Sequence, residues 1–232
     1  MRITHLGHAC VLVEAAGSRI LIDPGSFSGL WHEVTDLDAV LITHQHPDHV
    51  DPEHALRLLE RNPQAAVRTT EDVHEVVQLP GAQPARPGQT FAVGEVEVEA
   101  VGGDHAVIHE DIPRIHNIGY LLRAEGEPVL FHPGDSLETA PAGVEILALP
   151  IMGPWAAMKE QVEFVRALGR ANADAGNGTG SEQVPRVSIP IHDELLSDRG
   201  RALLNRQIGR LTGTEILPLR DGGSHDFSTT GS

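Results

Sequence analysis

Residues 41–51 read LITHQHPDHVD, placing three histidines and two aspartates in eleven positions directly after an apolar run. Imidazole and carboxylate groups at this density are first of all metal-binding groups. His44 and His46 stand two apart just past a strand-like stretch. In extended geometry their rings leave the same side, so both can reach one ion. Asp48 and His49 follow around a turn, and Pro47 prevents simple continuation of the strand. One ion cannot easily take all four groups from so tight a loop, but two neighbouring ions can share them. The bland alternative is a polar strand-to-helix turn whose histidines only cap and bond. A string as specific as H-x-H-x-D-H after an apolar strand weighs against it.

Further ligands would then be expected downstream, each at a strand end. Val101-Gly102-Gly103-Asp104-His105 presents His105 after an alternating strand, with glycines that allow close backbone approach. Phe131-His132-Pro133-Gly134-Asp135 presents Asp135 after an apolar run, and Ile189-Pro190-Ile191 leads into His192. Four strand ends carrying imidazole or carboxylate make a mouth at one edge of a sheet assembly.

The elements that must position these groups are legible in outline. Strands are expected at 2–6, 10–14, 19–23, 38–43, 66–69, 91–101, 118–123, 129–132, 145–149, 186–190 and 215–217. In VGEVEVEAV, residues 93–101, valines alternate with glutamates, so 91–101 reads as one half-exposed strand. Helices are expected at 52–61, 71–78, 155–170 and 197–211. The polar, glycine-rich stretch 170–185 reads as a flexible surface loop. Strands, helix, strands and helix in this order fit a layered α/β protein with two sheets between helices.

At 232 residues, 1–232 is read as a single domain. The net charge of −16 disfavours condensation onto nucleic-acid phosphates or anionic lipid, so neither nucleic acid nor membrane is an expected partner. Cys10 is the only cysteine, which rules out an intrachain disulfide and suits a cytoplasmic location. No stretch approaches the roughly 20 apolar residues of a membrane span.

The site residues, together with THLGHACVLVE (4–14) and ILIDPG (20–25), resemble the metallo-β-lactamase superfamily over nearly the whole chain. The resemblance implies an αββα four-layer sandwich with a binuclear site at one edge of the sheets. It implies that His44, His46 and His105 hold a first metal, that Asp48, His49 and His192 hold a second, and that Asp135 bridges both. Asp23 would buttress the metal loop. More narrowly, GGDHAVIHEDIP, NIGYLL, FHPGDS, LPIMGPW and IPIHDELLS resemble the branch that includes the L-ascorbate-6-phosphate lactonase and many unassigned metal-dependent hydrolases. Two departures narrow the chemistry. The second-metal cysteine of true β-lactamases is replaced by Asp135, which argues against antibiotic hydrolysis. His46 stands where the flavodiiron branch has glutamate, which favours hydrolysis over redox chemistry.

The donor set suits two divalent ions, zinc foremost, with manganese or iron as alternatives. Ions roughly 3.5–4 Å apart can share a water and lower its pKa from about 15.7 towards about 7. The expected activity is hydrolysis of a small-molecule ester, lactone, amide or phosphoester, with Asp48 or Asp135 orienting the water. His109, four after His105, reads either as a donor to the leaving group or as a surface histidine in a loop. His132 is expected behind the ligands, Trp155 at the pocket rim, and His8 either at the rim or packed structurally. His116 reads as a loop histidine, and His32, His54, His74 and His225 as solvent-exposed. The competing readings are a non-catalytic metal-binding protein that retains the fold, and a phosphodiesterase or nuclease. Homo-oligomerisation is left open.

Overall fold

Alternating apolar residues on both faces of the early strands require cover on both sides, and the fold supplies it. In the computed structural model, which describes residues 1–175 and 183–228, the first half contributes β1 (Arg2–His5), β2 (Val11–Ala15), β3 (Ser18–Ile22), β4 (Ala39–Leu41), α1 (Ala55–Arg61), β5 (Ala66–Thr69) and β6 (Gln83–Pro84). The second half contributes β7 (Thr90–Val93), β8 (Val96–Asp104), β9 (His116–Arg123), β10 (Leu130–His132), β11 (Ile146–Pro150), α2 (Met158–Ala175), β12 (Val187–Ile191), α3 (Asp198–Thr212) and β13 (Glu215–Ile216). Strand β14 (Ser224–Asp226) returns to the first half and pairs antiparallel with β1. The first sheet has the order β14-β1-β2-β3-β4-β5-β6 and the second β13-β12-β11-β10-β9-β8-β7.

Three apolar layers hold these elements in an αββα sandwich. Between the sheets, Val11, Val13, Ile20, Ile22, Ala39 and Leu41 face Val96, Val98, Ile118, Leu122, Ile146 and Ile189. The intervening residues Leu12, Leu21, Val40 and Ile42 turn outward onto Leu58 and Leu59 of α1 and onto Trp31. On the far side Leu121, Phe131, Leu147 and Leu149 pack on Val162, Val165 and Leu168 of α2 and Ile208 of α3. The pairings β3–β4, β4–β5, β10–β11 and β11–β12 are all parallel, the arrangement expected of runs buried on both faces. The Tyr120 hydroxyl crosses between the sheets and donates to Ile42 O at 3.0 Å.

Several sequence expectations are corrected. Residues 91–101 are two strands, not one. Gly94, at φ 57°, turns the chain so that Val93 and Val96 pair across a tight hairpin. The expected helix 71–78 is a short 3₁₀ turn, Glu71–Glu75. Helix α2 begins at Met158 rather than 155 and continues to Ala175, so the first part of the expected 170–185 loop is helical. Inside the helix, Gly169 lets Val184 approach closely; a Cβ there would meet Val184 N at 3.0 Å. Residues 176–182 of that expected loop lie outside the described residues. Among the described residues, no helix is long and apolar enough to cross a membrane.

Candidate metal centre

The loops that leave β1, β3, β4, β8, β10 and β12 converge at one edge of the sandwich. Two groups of side chains able to hold metal meet there, His44, His46, His105 and Asp135 in one and His8, Asp48, His49 and His192 in the other. Within each group the ligand atoms lie within 4.8 Å of one another. All seven residues expected from the sequence are thus brought together, divided as the resemblance implies. Asp135 stands at the junction. Its Oδ1 is 3.3 Å from His49 Nε2, and its Oδ2 is 3.1 Å from His192 Nε2 and 3.5 Å from His105 Nε2.

The backbone spends strain to make this convergence. His8, Asp23 and His192 lie at φ 51°, 52° and 57°, a left-handed region that costs non-glycine residues energy and is common at functional sites. Gly25 lets the metal loop close on the turn after β3, since a Cβ there would stand 1.8 Å from Asp48 O. His192 N donates to His8 O at 2.9 Å, tying two of these loops together. Asp135 is seated by Asn117, whose Oδ1 accepts from Asp135 N at 2.9 Å.

A buried carboxylate sets the ring orientations. Asp23 accepts from Thr43 N at 2.8 Å, from the Thr43 hydroxyl at 2.8 Å and from His49 Nδ1 at 2.7 Å. With its proton spent on Asp23, the Thr43 hydroxyl accepts from His44 Nδ1 at 3.0 Å. His105 Nδ1 donates to Ala106 O at 2.7 Å. His44, His49 and His105 therefore each commit Nδ1 to the scaffold and aim Nε2 at the centre, as metal-binding histidines do. Within the chain, His49 Nε2, His105 Nε2 and Asp135 Oδ1 are buried without a hydrogen-bond partner among the described residues. Buried polar atoms are seldom left so, and three converging on one space fit divalent cations.

The local fields point the same way. Burial pulls the His49 imidazole down, but Asp135 and Asp23 outweigh it and hold His49 well above the usual histidine range. Burial likewise opposes a charged His192, yet Asp135 and the bonds to Asp135 and Asp48 raise it to about 9. Burial would raise the Asp48 and Asp135 carboxyls, but the surrounding histidines hold both far below the usual carboxylate range. His44, buried and beside His49, is held well below the usual range, and His46 is lowered by burial and by His105. Carboxylates that hold protons on neighbouring rings this strongly favour a cation in the protons' place.

His8 was expected only at the rim or in a packed role. It belongs to the second group, with Nε2 3.1 Å from Asp48 Oδ2 and its ring 4.2 Å from that of His192. The available signal was its place at a strand end, in HLGHAC, the same position that marks the other ligands. The candidate role of His109 is corrected. Residues 105–109 form no helix, so four positions do not return the side chain to the same face. The His109 side chain is 59% exposed and its Nδ1 accepts from Asp111 N at 3.2 Å. Ile108 lines the mouth instead.

Trp155 is at the mouth, its Nε1 donating to Asp135 Oδ2 at 3.0 Å. His132 lies behind the ligands, with Nε2 bonded to Ala9 O at 3.0 Å. His116 is exposed beside Asp72, and His74 and His225 are exposed. His32 and His54 are not simply in solvent: their rings stack at 4.2 Å, and His54 Nδ1 donates to Asp51 Oδ2 at 2.8 Å.

Comparison with known proteins agrees with this geometry. Residues 2–173 match the family model described as the beta-lactamase superfamily domain. The chain belongs to the metallo-β-lactamase superfamily. It is 38% identical to protein Rv0786c of Mycobacterium tuberculosis over 94% of this chain and 97% of that one. It is 30% identical to a UPF0173 metal-dependent hydrolase of Aeropyrum pernix, with 97% of each chain covered. The fold is shared with Igni18, a metallo hydrolase from Ignicoccus hospitalis, at TM-score 0.69 and 18% identity over 98% of this chain and 99% of that one. The chain is thus a metal-dependent hydrolase of this superfamily.

Proposed function

We propose that the chain hydrolyses a small-molecule ester, lactone, amide or phosphoester at a binuclear centre of divalent ions, zinc foremost. The first ion would be held by His44, His46 and His105, the second by Asp48, His49 and His192, with Asp135 between them. The observation that carries this reading is the meeting of two four-residue groups at Asp135, with orphaned buried ligand atoms facing inward. When bound, two such ions lower the pKa of a shared water towards about 7 and polarise the oxygen under attack.

The chain's own groups complete the site. Asp48 Oδ2 faces His8 at 3.1 Å and His192 at 3.4 Å, and these partners keep the carboxyl ionised at neutral pH. Its place at the mouth puts Asp48 where it can orient the water. Trp155 fixes Asp135 through its indole N–H, and its ring closes one side of the mouth against bulk water. A mouth of about 350 Å³ supports a small molecule as substrate, and the net charge of −16 supports neither a nuclease nor a membrane partner.

A metal-binding protein without catalysis is the competing reading, and the full complement of candidate ligands speaks against it. The test is a hydrolysis screen of esters, lactones and phosphodiesters with wild type, His44→Ala and Asp135→Ala, alongside metal content. Variants that kept full metal and full activity would sink the proposal.

A further inference from the structure

The mouth above the candidate ligands has an unusual division of labour. Its polar lining consists of His46, Asp48, Asp135 and His192, all candidate ligands, and the Trp155 indole N–H, which is bonded to Asp135. The rest is apolar: Phe27, Pro47, Ile108, Pro154, Leu195 and the face of Trp155. Among the described residues, neither arginine nor lysine lines it. Arg114, on the neighbouring loop, is paired with Glu138 and bonded to His105 O, and Arg201 is held by Asp193 at 2.9 Å. Phe27 and Leu195 are large apolar side chains left 41% and 61% exposed on two different loops beside the same opening.

Where a substrate carries a phosphate or carboxylate away from the reacting bond, arginine or lysine commonly holds it. A pocket whose polar side chains are spent on metal offers no side-chain cation to a charge carried away from the reacting bond, and burying such a charge against Leu195 and Phe27 would be costly. From this we infer that the substrate is a neutral acyl compound, ester or lactone in type, whose acyl part is an aliphatic or aryl group lying between Phe27, Leu195 and Trp155. The inference rests on the hydrolytic reading above and narrows it, against the phosphorylated lactone suggested by the branch resemblance. In the reaction the oxygen of water bonds to the acyl carbon, and the bond from that carbon to the leaving atom breaks. One proton of the water goes to the leaving group and the other to solvent.

The test uses metal-loaded, full-length protein and p-nitrophenyl acetate, butyrate and hexanoate, with p-nitrophenyl phosphate and bis(p-nitrophenyl) phosphate in parallel. Burial of each added methylene is expected to raise kcat/KM about threefold to fourfold, with both phosphates at least 100-fold below hexanoate. Leu195→Lys, at an exposed position, is expected to keep full metal content while losing at least tenfold on hexanoate and little on acetate. Binding is read separately, by Trp155 fluorescence during titration with the neutral, non-hydrolysable ketones 2-propanone and 2-heptanone, with Trp155→Phe as the blank for buried Trp31. Chain-length dependence in binding without any hydrolysis would support the apolar pocket and overturn the hydrolytic reading. Phosphate esters preferred over hexanoate, or no chain-length dependence in either readout, would overturn the inference.

Discussion

Asp23 never faces the substrate mouth, yet replacing it by asparagine should weaken the centre. The carboxylate accepts three hydrogen bonds, from Thr43 N, the Thr43 hydroxyl and His49 Nδ1, and is fully buried. Asparagine has nearly the same shape and tolerates the left-handed backbone at φ 52°. Its single carbonyl oxygen cannot serve both sides, so an NH₂ group must confront either the Thr43 amide or His49 Nδ1–H. One buried donor left unpaired costs about 1–3 kcal/mol, near the top of that range where a charged acceptor is lost. If the loss falls on His49, the ring is free to rotate and its Nε2 loses its aim. At about 1.4 kcal/mol per tenfold, metal affinity at the second position should fall about 10- to 100-fold, the range seen for partners of metal-bound histidine. Competition against a chromophoric chelator measures this, and urea unfolding of stripped protein measures the part that is folding stability. An Asp23→Asn protein with metal affinity within twofold of wild type would refute the claim that this carboxylate orients the ligand set.

Gly25→Ala should destabilise the protein by about 1–3 kcal/mol or more, because a Cβ 1.8 Å from Asp48 O must push the metal loop outward; calorimetry and metal content read it together, and unchanged values in both would contradict the close approach. Metal-stripped protein should lose stability as pH rises from about 6.5 to about 9. His192 is raised from 6.5 to about 9, so its contribution is fully present below 6.5 and lost as pH climbs through 9. That interval corresponds to at most about 3 kcal/mol. Asp48 and Asp135, held far below the usual carboxylate range, stay ionised across this window and cancel none of it. Urea midpoints of stripped protein that rise with pH would refute the sign. Trp155→Phe should keep the ring wall but release Asp135 Oδ2, lowering kcat more than it raises KM; an effect on KM alone would make Trp155 a wall and nothing more.

How far the sequence carried depended on how local each feature was. The metal loop could be read because His44, His46, Asp48 and His49 lie within six consecutive residues after an apolar strand. His105, Asp135 and His192 could be read because each ends a run of strand character. His8 escaped because its partners are Asp48 and His192, 40 and 184 positions away, and only the sandwich brings them near. His109 was misplaced by a spacing that has meaning only in a helix. The β7–β8 hairpin hid because residues 96–100 alternate so regularly that the run reads back across Gly94 and Glu95, although Val93 and Val96, three apart, break the period of two. Helix α2 outran its expected end because residues 171–175 read with the polar, glycine-rich stretch, although they contain neither glycine nor proline.

The most direct test of the central claim is metal content per chain, by elemental analysis of protein purified without chelator and then reconstituted with zinc, manganese or iron in turn. Two equivalents per chain in wild type, one in His192→Ala and the same two in the exposed-loop variant His109→Ala are expected. One equivalent or none in reconstituted wild type, or two retained in His192→Ala, would contradict the division of these side chains between two ions.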